Sequence, residues 1–168
     1  MPDAAGAAAV LRGTLAALGV EHEEVGPGRF AAVLPGEARL RTTCLLEVGR
    51  HALSVRAFVA RRPDEAHAEV HRMLLERNAR AGAVAFALDA AGDVWLVGRL
   101  PLVAVVPEVV DGLLGEVLEA SDGTFNAVVE RGFASAVRRE WAWRERRGEP
   151  TANLEAFRRL RPAPGEGA

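Results

Sequence analysis

The segment VHRMLLERNARAGAVAFALDAAGDVWLVGRLPL, residues 70–102, has the clearest secondary-structure pattern of the chain. Its first residues have helical periodicity, with one face formed by Val70, Met73, Leu74 and Arg77. Two apolar runs, residues 83–88 and 94–100, follow and are separated by a turn that contains Gly92. Glycine adopts a positive φ at little cost, which suits a hairpin turn. The segment therefore predicts a helix that ends at Asn78 and continues into a β-hairpin.

The residues before this segment predict one helix and then several strands. Residues 4–18 are rich in Ala and Leu at helical spacing, and Gly19 is the expected stop. Four strands are predicted at residues 21–25, 29–34, 40–48 and 51–59. In the last of these, apolar residues alternate with Ser54 and Arg56. A period of two residues is typical of an antiparallel sheet that is covered on one side.

Capping signals predict where the remaining helices begin. Asp64 is the expected N-cap of the helix before the hairpin, and Glu65 suits the positive end of its dipole. Pro107 suits the first turn of a third helix, which residues 121–124 are expected to break or bend. Thr151 is expected to cap a last short helix.

The element order α-ββββ-α-ββ-α-α predicts an α+β fold, with an antiparallel sheet of about five to six strands and flanking helices. Residues 1–130 are expected to form this domain. Residues 131–161 are expected to form an Arg/Trp-rich helical extension packed on it. Residues 162–168 are rich in Pro and Gly and are expected to be a disordered tail.

Composition limits the classes of function. The 168 residues carry a net charge of −2, and all 21 basic residues are Arg. The charge is uneven, at −6 over residues 1–130 and +4 over residues 131–168. A general nucleic-acid binder is unexpected at this net charge. No apolar stretch reaches the ~18–20 residues of a membrane span, and no basic region precedes the Ala-rich start, so we expect a cytoplasmic protein without a membrane anchor.

Metal and cofactor motifs are weak. Cys44 is the single cysteine and lies in an apolar strand, where a buried thiol is expected. His67 and His71 are four residues apart on the predicted second helix, which could hold a metal from one face. The pair lacks the His-Glu-x-x-His order, and its third ligand would have to come from His51, Asp64 or another acid. We therefore expect no metal site and no cofactor, and we expect both histidines to lie on a solvated helix face; a metal held by His67 and His71 is the alternative.

Three residues near the end of the second helix have two interpretations. Arg77 suits the negative end of the helix dipole, and Asn78 tolerates the left-handed conformation that ends a helix. Both residues would then form a structural joint. The alternative is a cleft for an anion or small ligand around Arg77, Arg80 and Asp89, although Asp89 and its neighbour Asp93 flank a turn and are expected to bond their own backbone.

The C-terminal extension carries a dense cluster of aromatic and guanidinium groups. Its members are Arg138, Arg139, Trp141, Trp143, Arg144, Arg146 and Arg147, and all of them except Arg146 are the predicted partner-binding residues. Trp and Arg are enriched at protein interfaces, and the same mixture can stack on single-stranded nucleic acid. Trp141 continues the apolar stripe of its helix and is expected in the core. Trp143 lies about 200° away around the helix, so one of the two should face outward. Interspersed Glu140, Glu145 and Glu149 favour a protein partner over nucleic acid.

Residues 77–102 resemble the core of the YbjN-domain family, and of its actinobacterial members in particular. The matching positions are Arg77-Asn78, Phe86–Asp89, Gly92, Leu96 and Leu100-Pro101-Leu102. The resemblance covers roughly residues 5–160, and residues 132–160 resemble an actinobacterial extension of the family. It implies a bacterial sensory-transduction regulator with a fold similar to type III secretion chaperones, which often pairs into dimers.

We therefore expect a non-enzymatic cytoplasmic protein, chaperone-like or regulatory, that binds an unidentified protein partner and itself as a homodimer. The sheet and the Arg/Trp-bearing helices would supply the surface. One alternative is an enzyme or small-ligand protein with its cleft around Arg77, Arg80 and Asp89. The other is a nucleic-acid-associated regulator that uses residues 138–147.

Overall fold

The structure is a computed structural model, and it describes residues 3–163. Six strands and four α-helices occur in these residues, and two further segments are 3-10 helices. The α-helices are α1 (Ala4–Ala17), α2 (His67–Asn78), α3 (Pro107–Gly132) and α4 (Ala134–Arg147). The strands are β1 (Glu21–Gly26), β2 (Arg29–Pro35), β3 (Arg41–Val48), β4 (Ala52–Ala60), β5 (Val84–Leu88) and β6 (Val94–Pro101). The 3-10 segments are Leu102–Ala104 and Ala152–Leu160.

The strands form one antiparallel sheet in the order β1-β2-β3-β4-β6-β5. The β5–β6 hairpin joins the earlier meander through β6, which pairs with β4, so β5 becomes an edge strand. One row of Cα partners crosses the sheet on its buried face: Ala32, Cys44, Ala57, Leu96 and Phe86. The α+β class, the element order and the six antiparallel strands agree with the sequence prediction.

The sheet is covered on one face. In β3, Thr42, Cys44 and Leu46 are buried, whereas the intervening Thr43, Leu45 and Glu47 are exposed. Helices α1 and α3 pack over the buried face and contribute the residues of one continuous core. From α3 these are Val110, Leu113, Leu114, Val117 and Val128. This period-two alternation is the one-sided pattern that the sequence of β4 predicted.

Helix α3 runs unbroken from Pro107 to Gly132, so the predicted break or bend at residues 121–124 does not end the helix. Two of the polar residues there, Ser121 and Asp122, have partners outside the helix. Ser121 Oγ lies 3.2 Å from Thr42 Oγ1, and both residues are buried. The Asp122 carboxylate accepts the backbone N–H of Arg39 at 2.7 Å. Tertiary partners therefore satisfy side chains that a turn would otherwise have used.

The predicted N-cap of α2 was wrong. The helix begins at His67, after Ala66 in the left-handed conformation with φ of 51°, and no side chain caps it. The Asp64 carboxylate instead pairs with Arg61 at 2.6 Å. Glu65 serves a different helix, since its carboxylate accepts the backbone N–H of Ser135 at 2.6 Å in the first turn of α4. Asp64 therefore binds a guanidinium group and Glu65 binds a backbone N–H group. Neither contact is at the first turn of α2, where the sequence pattern predicted them.

The C-terminal part forms a small second core. Its buried residues are Val137 and Trp141 of α4 and Leu154 and Phe157 of the last segment. That segment is the predicted last short helix, in 3-10 form, but the predicted cap was wrong because the Thr151 side chain makes no capping hydrogen bond. Of the predicted tail 162–168, residues 164–168 lie outside the described residues. Among the described residues, no helix is long and apolar enough to cross a membrane.

Candidate partner-binding site

Helix α4 places its two tryptophans in different environments. Trp141 is 2% exposed and packs in the second core, whereas Trp143 is 41% exposed. Two residues correspond to about 200° around an α-helix, so the two rings leave the helix on nearly opposite sides. The prediction that Trp141 is a core residue and that the other ring faces outward is confirmed.

Two of the predicted arginines, Arg144 and Arg147, contact side chains of α4 itself or the residues just after it. The Arg144 Nε donates to the Glu140 carboxylate at 2.6 Å, and its Nη1 donates to the Pro150 carbonyl at 2.7 Å. The Arg147 guanidinium lies 5.0 Å from the centre of the Trp143 ring, a cation–π distance. Arg144 therefore fixes the turn after the helix, and Arg147 supports the exposed ring.

A groove opens between α4 and the segment that folds back on it. Its volume is about 560 Å³, and we call it the Arg/Trp groove. Its lining residues are Arg138, Arg139, Ala142, Trp143, Arg146, Arg159, Leu160, Arg161 and Pro162. None of these described lining residues is acidic, so the groove is positively charged around an aromatic and an aliphatic side chain.

The arginines of the Arg/Trp groove differ in how they are paired. Arg161 forms an ion pair with Glu145 at 2.7 Å and lies over the Trp141 ring. Arg138 and Arg139 form no ion pair within residues 3–163. The charge of Arg138 still reaches Glu65, whose pKa is lowered mainly by the N–H of Ser135 and to a smaller extent by Arg138. In the same way, the charge of Arg139 contributes to the lowered pKa of Asp64, whose main cause is the hydrogen bond from Arg61.

The groove includes only part of the cluster predicted from sequence. It contains Arg138, Arg139 and Trp143, but Trp141 is buried beneath it and Arg144 is held by Glu140. The groove also contains Arg146, a member of the predicted cluster. Sequence reasoning missed Arg159, Leu160 and Arg161. These three depend on the fold-back of the 3-10 segment, which no local pattern encodes.

The second predicted constellation is divided by the structure. Arg77 and Arg80 line one cavity between α2 and α3. Asn78 does not face a ligand, because its side-chain amide makes two hydrogen bonds with the backbone of Phe86, at 2.7 and 3.0 Å. Asn78 is therefore the structural joint that the sequence suggested, because it links the end of α2 to β5.

Asp89 is a turn residue of the β5–β6 hairpin. Its carboxylate accepts the N–H groups of Ala91 and Asp93 at 2.9 Å and the indole N–H of Trp95 at 3.0 Å. These hydrogen bonds, the one from Asp93 first, hold the pKa of Asp89 below its usual range. Asp89 is not among the lining residues of the cavity at Arg77 and Arg80. The cleft predicted around Arg77, Arg80 and Asp89 is therefore corrected: Asp89 belongs to the hairpin.

His67 and His71 lie on one side of α2, with ring centres 6.3 Å apart. His67 Nε2 lies 2.8 Å from the Pro63 carbonyl, so one ring nitrogen is already engaged by the backbone. In the described part of the chain, no group of three or more His, Cys, Asp or Glu side chains converges as a metal site would require. The third ligand that the sequence left open is not supplied by His51 or Asp64.

The chain belongs to the YbjN family: residues 7–130 match the family model described as "Putative bacterial sensory transduction regulator". An uncharacterised protein of Mycobacterium tuberculosis is 48% identical over 144 residues, covering 84% of this chain and 79% of the relative. An uncharacterised protein of Mycobacterium leprae is 47% identical over 139 residues, covering 83% of this chain and 76% of the relative.

A chain in the crystal structure of the ExsC–ExsE complex has the same fold, with a TM-score of 0.53 at 19% identity. The match covers 74% of this chain and 94% of that chain. This likeness concerns the fold alone, and the predicted α+β class with an antiparallel sheet and flanking helices is confirmed. The family membership and the actinobacterial resemblance predicted from residues 77–102 are confirmed as well.

Proposed function

We propose that this protein is a non-enzymatic cytoplasmic domain, chaperone-like or regulatory, that holds an acidic segment of another protein in the Arg/Trp groove. One observation carries the proposal: the half-exposed Trp143 lies in a groove lined by five arginines and by no acid. An aromatic anchor ringed by positive charge is suited to a segment in which Asp or Glu residues flank an apolar side chain. Family membership among regulators supports the same role.

Site-directed photo-crosslinking from within the groove tests this proposal. A photoreactive phenylalanine replaces Ala142, which lines the groove beside Trp143, and the full chain is exposed to native lysate. We expect crosslinks to a discrete protein through a segment rich in Asp and Glu. The same probe at Val103, which is 71% exposed and lies outside the groove, is the matched control.

Substitutions separate the anchor from the charge. Trp143→Ala should remove most of the crosslinked product. Arg138→Glu with Arg159→Glu should also remove most of it, and the product that remains should depend less on salt. Val103→Ala should leave the product unchanged. A partner that crosslinks equally to both probe positions, or that survives Trp143→Ala and the double charge reversal, would contradict the proposal.

The same groove could attract single-stranded nucleic acid, because both ligands are anionic and can contact an aromatic ring. Competition decides between them. A labelled peptide in which several Glu residues flank a single Phe should displace the captured partner. An unstructured polyuridine of equal charge should not displace it. Displacement by polyuridine alone would assign the groove to the nucleic-acid alternative.

The homodimer implied by the family resemblance belongs to the same proposal. The sheet face opposite α1 and α3 is the surface we assign to it, since Leu45 is 43% exposed there. Light scattering on the eluting peak should give twice the 17.9 kDa of one chain. Leu45→Glu should reduce this to the mass of one chain, and a single-chain mass for the unmodified protein would refute the homodimer.

A further inference from the structure

A second cavity, separate from the Arg/Trp groove, lies between α2, α3 and the β5–β6 hairpin. Its volume is about 720 Å³. Apolar side chains form much of its wall: Met73, Val84, Phe86, Leu96 and Ala120. Arg77 and Arg80, both exposed, stand at its rim near the end of α2. The cavity therefore combines an apolar interior with two guanidinium groups at its opening.

Thr124 of α3 is a further lining residue and is fully buried. Its Oγ1 has no hydrogen-bond partner among the described residues. A buried hydroxyl without a partner is costly, which favours a polar ligand atom beside it. Glu116 is at the rim, where its carboxylate accepts the backbone N–H of Gly82. Thr124 lies eight residues further along α3, which is roughly 12 Å along the helix axis, so it is at the end of the cavity away from the rim.

The three carboxylates that line this cavity differ in their partners. Glu116 accepts N–H groups of Gly82, Ala83 and Val84, at 2.9, 2.9 and 3.2 Å. Glu76 forms an ion pair with Arg72 at 3.1 Å. Glu116 keeps its negative charge, because its partners are neutral N–H groups, but its carboxylate is turned toward the backbone of residues 82–84. Arg77 and Arg80 therefore share the rim with two charged carboxylates, and Glu119 is the one without a hydrogen-bond partner among the described residues.

We propose that this cavity binds a small organic acid with an apolar body and a hydrogen-bonding group opposite its carboxylate. The carboxylate meets Arg77 and Arg80, the body lies against Phe86 and its neighbours, and the distal polar group bonds to Thr124. A para-hydroxyphenyl carboxylic acid has its groups in this order. This site is independent of the Arg/Trp groove and of the partner proposed there.

Three related probes test the two ends of the ligand separately. Phloretate carries both the carboxylate and the phenol, hydrocinnamate lacks the phenol, and phloretamide lacks the charge. By isothermal titration with the full chain, phloretate should bind with a dissociation constant of about 1 mM or lower. Each of the other two should bind about threefold to tenfold more weakly, which is the range for loss of one hydrogen bond or one partly exposed charge contact.

Protein variants should cancel these preferences one at a time. Thr124→Val keeps the side-chain shape, and it should remove the preference for phloretate over hydrocinnamate while leaving the preference over phloretamide. Arg77→Gln with Arg80→Gln should remove the preference for phloretate over phloretamide and leave the preference over hydrocinnamate. Glu119→Gln should strengthen phloretate binding about twofold to fivefold, since it removes the opposing charge. Trp143→Ala, in the other groove, should bind phloretate as the unmodified protein does.

Backbone amide NMR shifts should map the ligand to residues 77–84 and 116–124, with circular dichroism confirming that each variant is folded. The proposal is wrong if phloretate fails to saturate the protein, or if it shifts amides elsewhere. It is also wrong if folded Thr124→Val keeps the full preference for the phenol. Because the Arg/Trp groove shares no residue with this cavity, failure here and failure of the proposed function are distinguishable.

Discussion

At the residue scale, the Glu116 side chain of α3 accepts backbone N–H groups that no neighbouring strand pairs with in the described residues. Its carboxylate accepts three successive backbone N–H groups, from Gly82 to Val84, where edge strand β5 begins. Burial raises the pKa of Glu116, but the hydrogen bonds from Ala83, Val84 and Gly82 together lower it below its usual value. The ionised carboxylate therefore helps to hold the hairpin against α3.

We expect Glu116→Gln to lower the free energy of unfolding by about 1–3 kcal/mol at neutral pH, because charge-assisted hydrogen bonds are replaced by neutral ones. A depressed pKa in the folded state means that this stability is present above the unfolded value near 4.5 and is lost as pH falls below it. Urea unfolding at pH 7 and at decreasing acidic pH measures the difference. Exposed Glu119→Gln is the control and should change stability by less than about 0.5 kcal/mol. A difference that persists undiminished in acid would contradict this role.

Cys44 makes a second prediction at the same scale. It is fully buried in β3, and burial raises the pKa of its thiol to about 12. Because the thiolate is the reactive form, Cys44 should be inert to thiol reagents in the folded protein at pH 8. A colorimetric disulfide reagent should react only as fast as the chain unfolds, and the rate should rise with urea. Rapid stoichiometric labelling without denaturant would show that β3 opens independently.

At the scale of elements, the β5–β6 hairpin is joined to its surroundings by both of its strands and its turn. Asn78 links the end of α2 to Phe86 of β5, and Asp89 organises the turn. The close approach of β5 to β6 also needs a residue without a side chain. A Cβ on Gly98 would lie 2.6 Å from the Ala83 carbonyl oxygen and 2.8 Å from Val84 Cγ1. Gly98 is therefore required by packing across the hairpin.

Two glycine-to-alanine substitutions form a matched pair. Gly98→Ala should destabilise the protein by about 1–3 kcal/mol, the range for an overpacked core, because a backbone oxygen must move. Gly112→Ala on α3 meets nothing within 4 Å and should stabilise it by up to about 1 kcal/mol, since alanine favours the helix. Thermal and urea unfolding of both variants measure the effects. A loss of stability at Gly112 as large as at Gly98 would show that space across the hairpin is not the cause.

At the scale of the whole molecule, the described residues contain two hydrophobic clusters of unequal size. The large one lies between the sheet and helices α1, α2 and α3, and the small one joins α4 to the 3-10 segment. Glu65 connects the two regions, because it precedes α2 and bonds to Ser135 at the start of α4. We propose that residues 131–161 form an extension of the domain. Its small core contains Trp141 as the largest side chain.

Hydrogen exchange can measure how independent this extension is. Trp141→Ala should cost about 3–5 kcal/mol locally, as expected for truncation of a buried tryptophan. We expect faster exchange over residues 134–160, and unchanged protection of β3 and β4 in the large core. Trp143→Ala, which removes a half-exposed ring, should leave the exchange of both regions nearly unchanged. Loss of protection in β3 and β4 after Trp141→Ala would mean that the two clusters unfold as one unit.

The sequence by itself determined the elements, their order and the face of the sheet that is buried, because these depend on short-range periodicity and turn chemistry. Residues 70–102 supplied the helix, the hairpin and the family resemblance, and the phase of α4 separated Trp141 from Trp143. Each of these properties is set by residues within a few positions of one another, where a 3.6- or 2-residue period is sufficient.

Only the tertiary structure decided which polar side chains bond to distant backbone groups. Glu65, which precedes α2, bonds to the first turn of α4, and Asp89 bonds to Trp95 and the hairpin turn. Glu116 accepts backbone N–H groups that lie 32 to 34 residues before it in the chain. The Arg/Trp groove needs the fold-back of residues 152–160, and the cavity at Thr124 needs α2 and α3 side by side. A carboxylate or hydroxyl binds whichever partner the packed fold brings within about 3 Å, and that distance is not encoded locally.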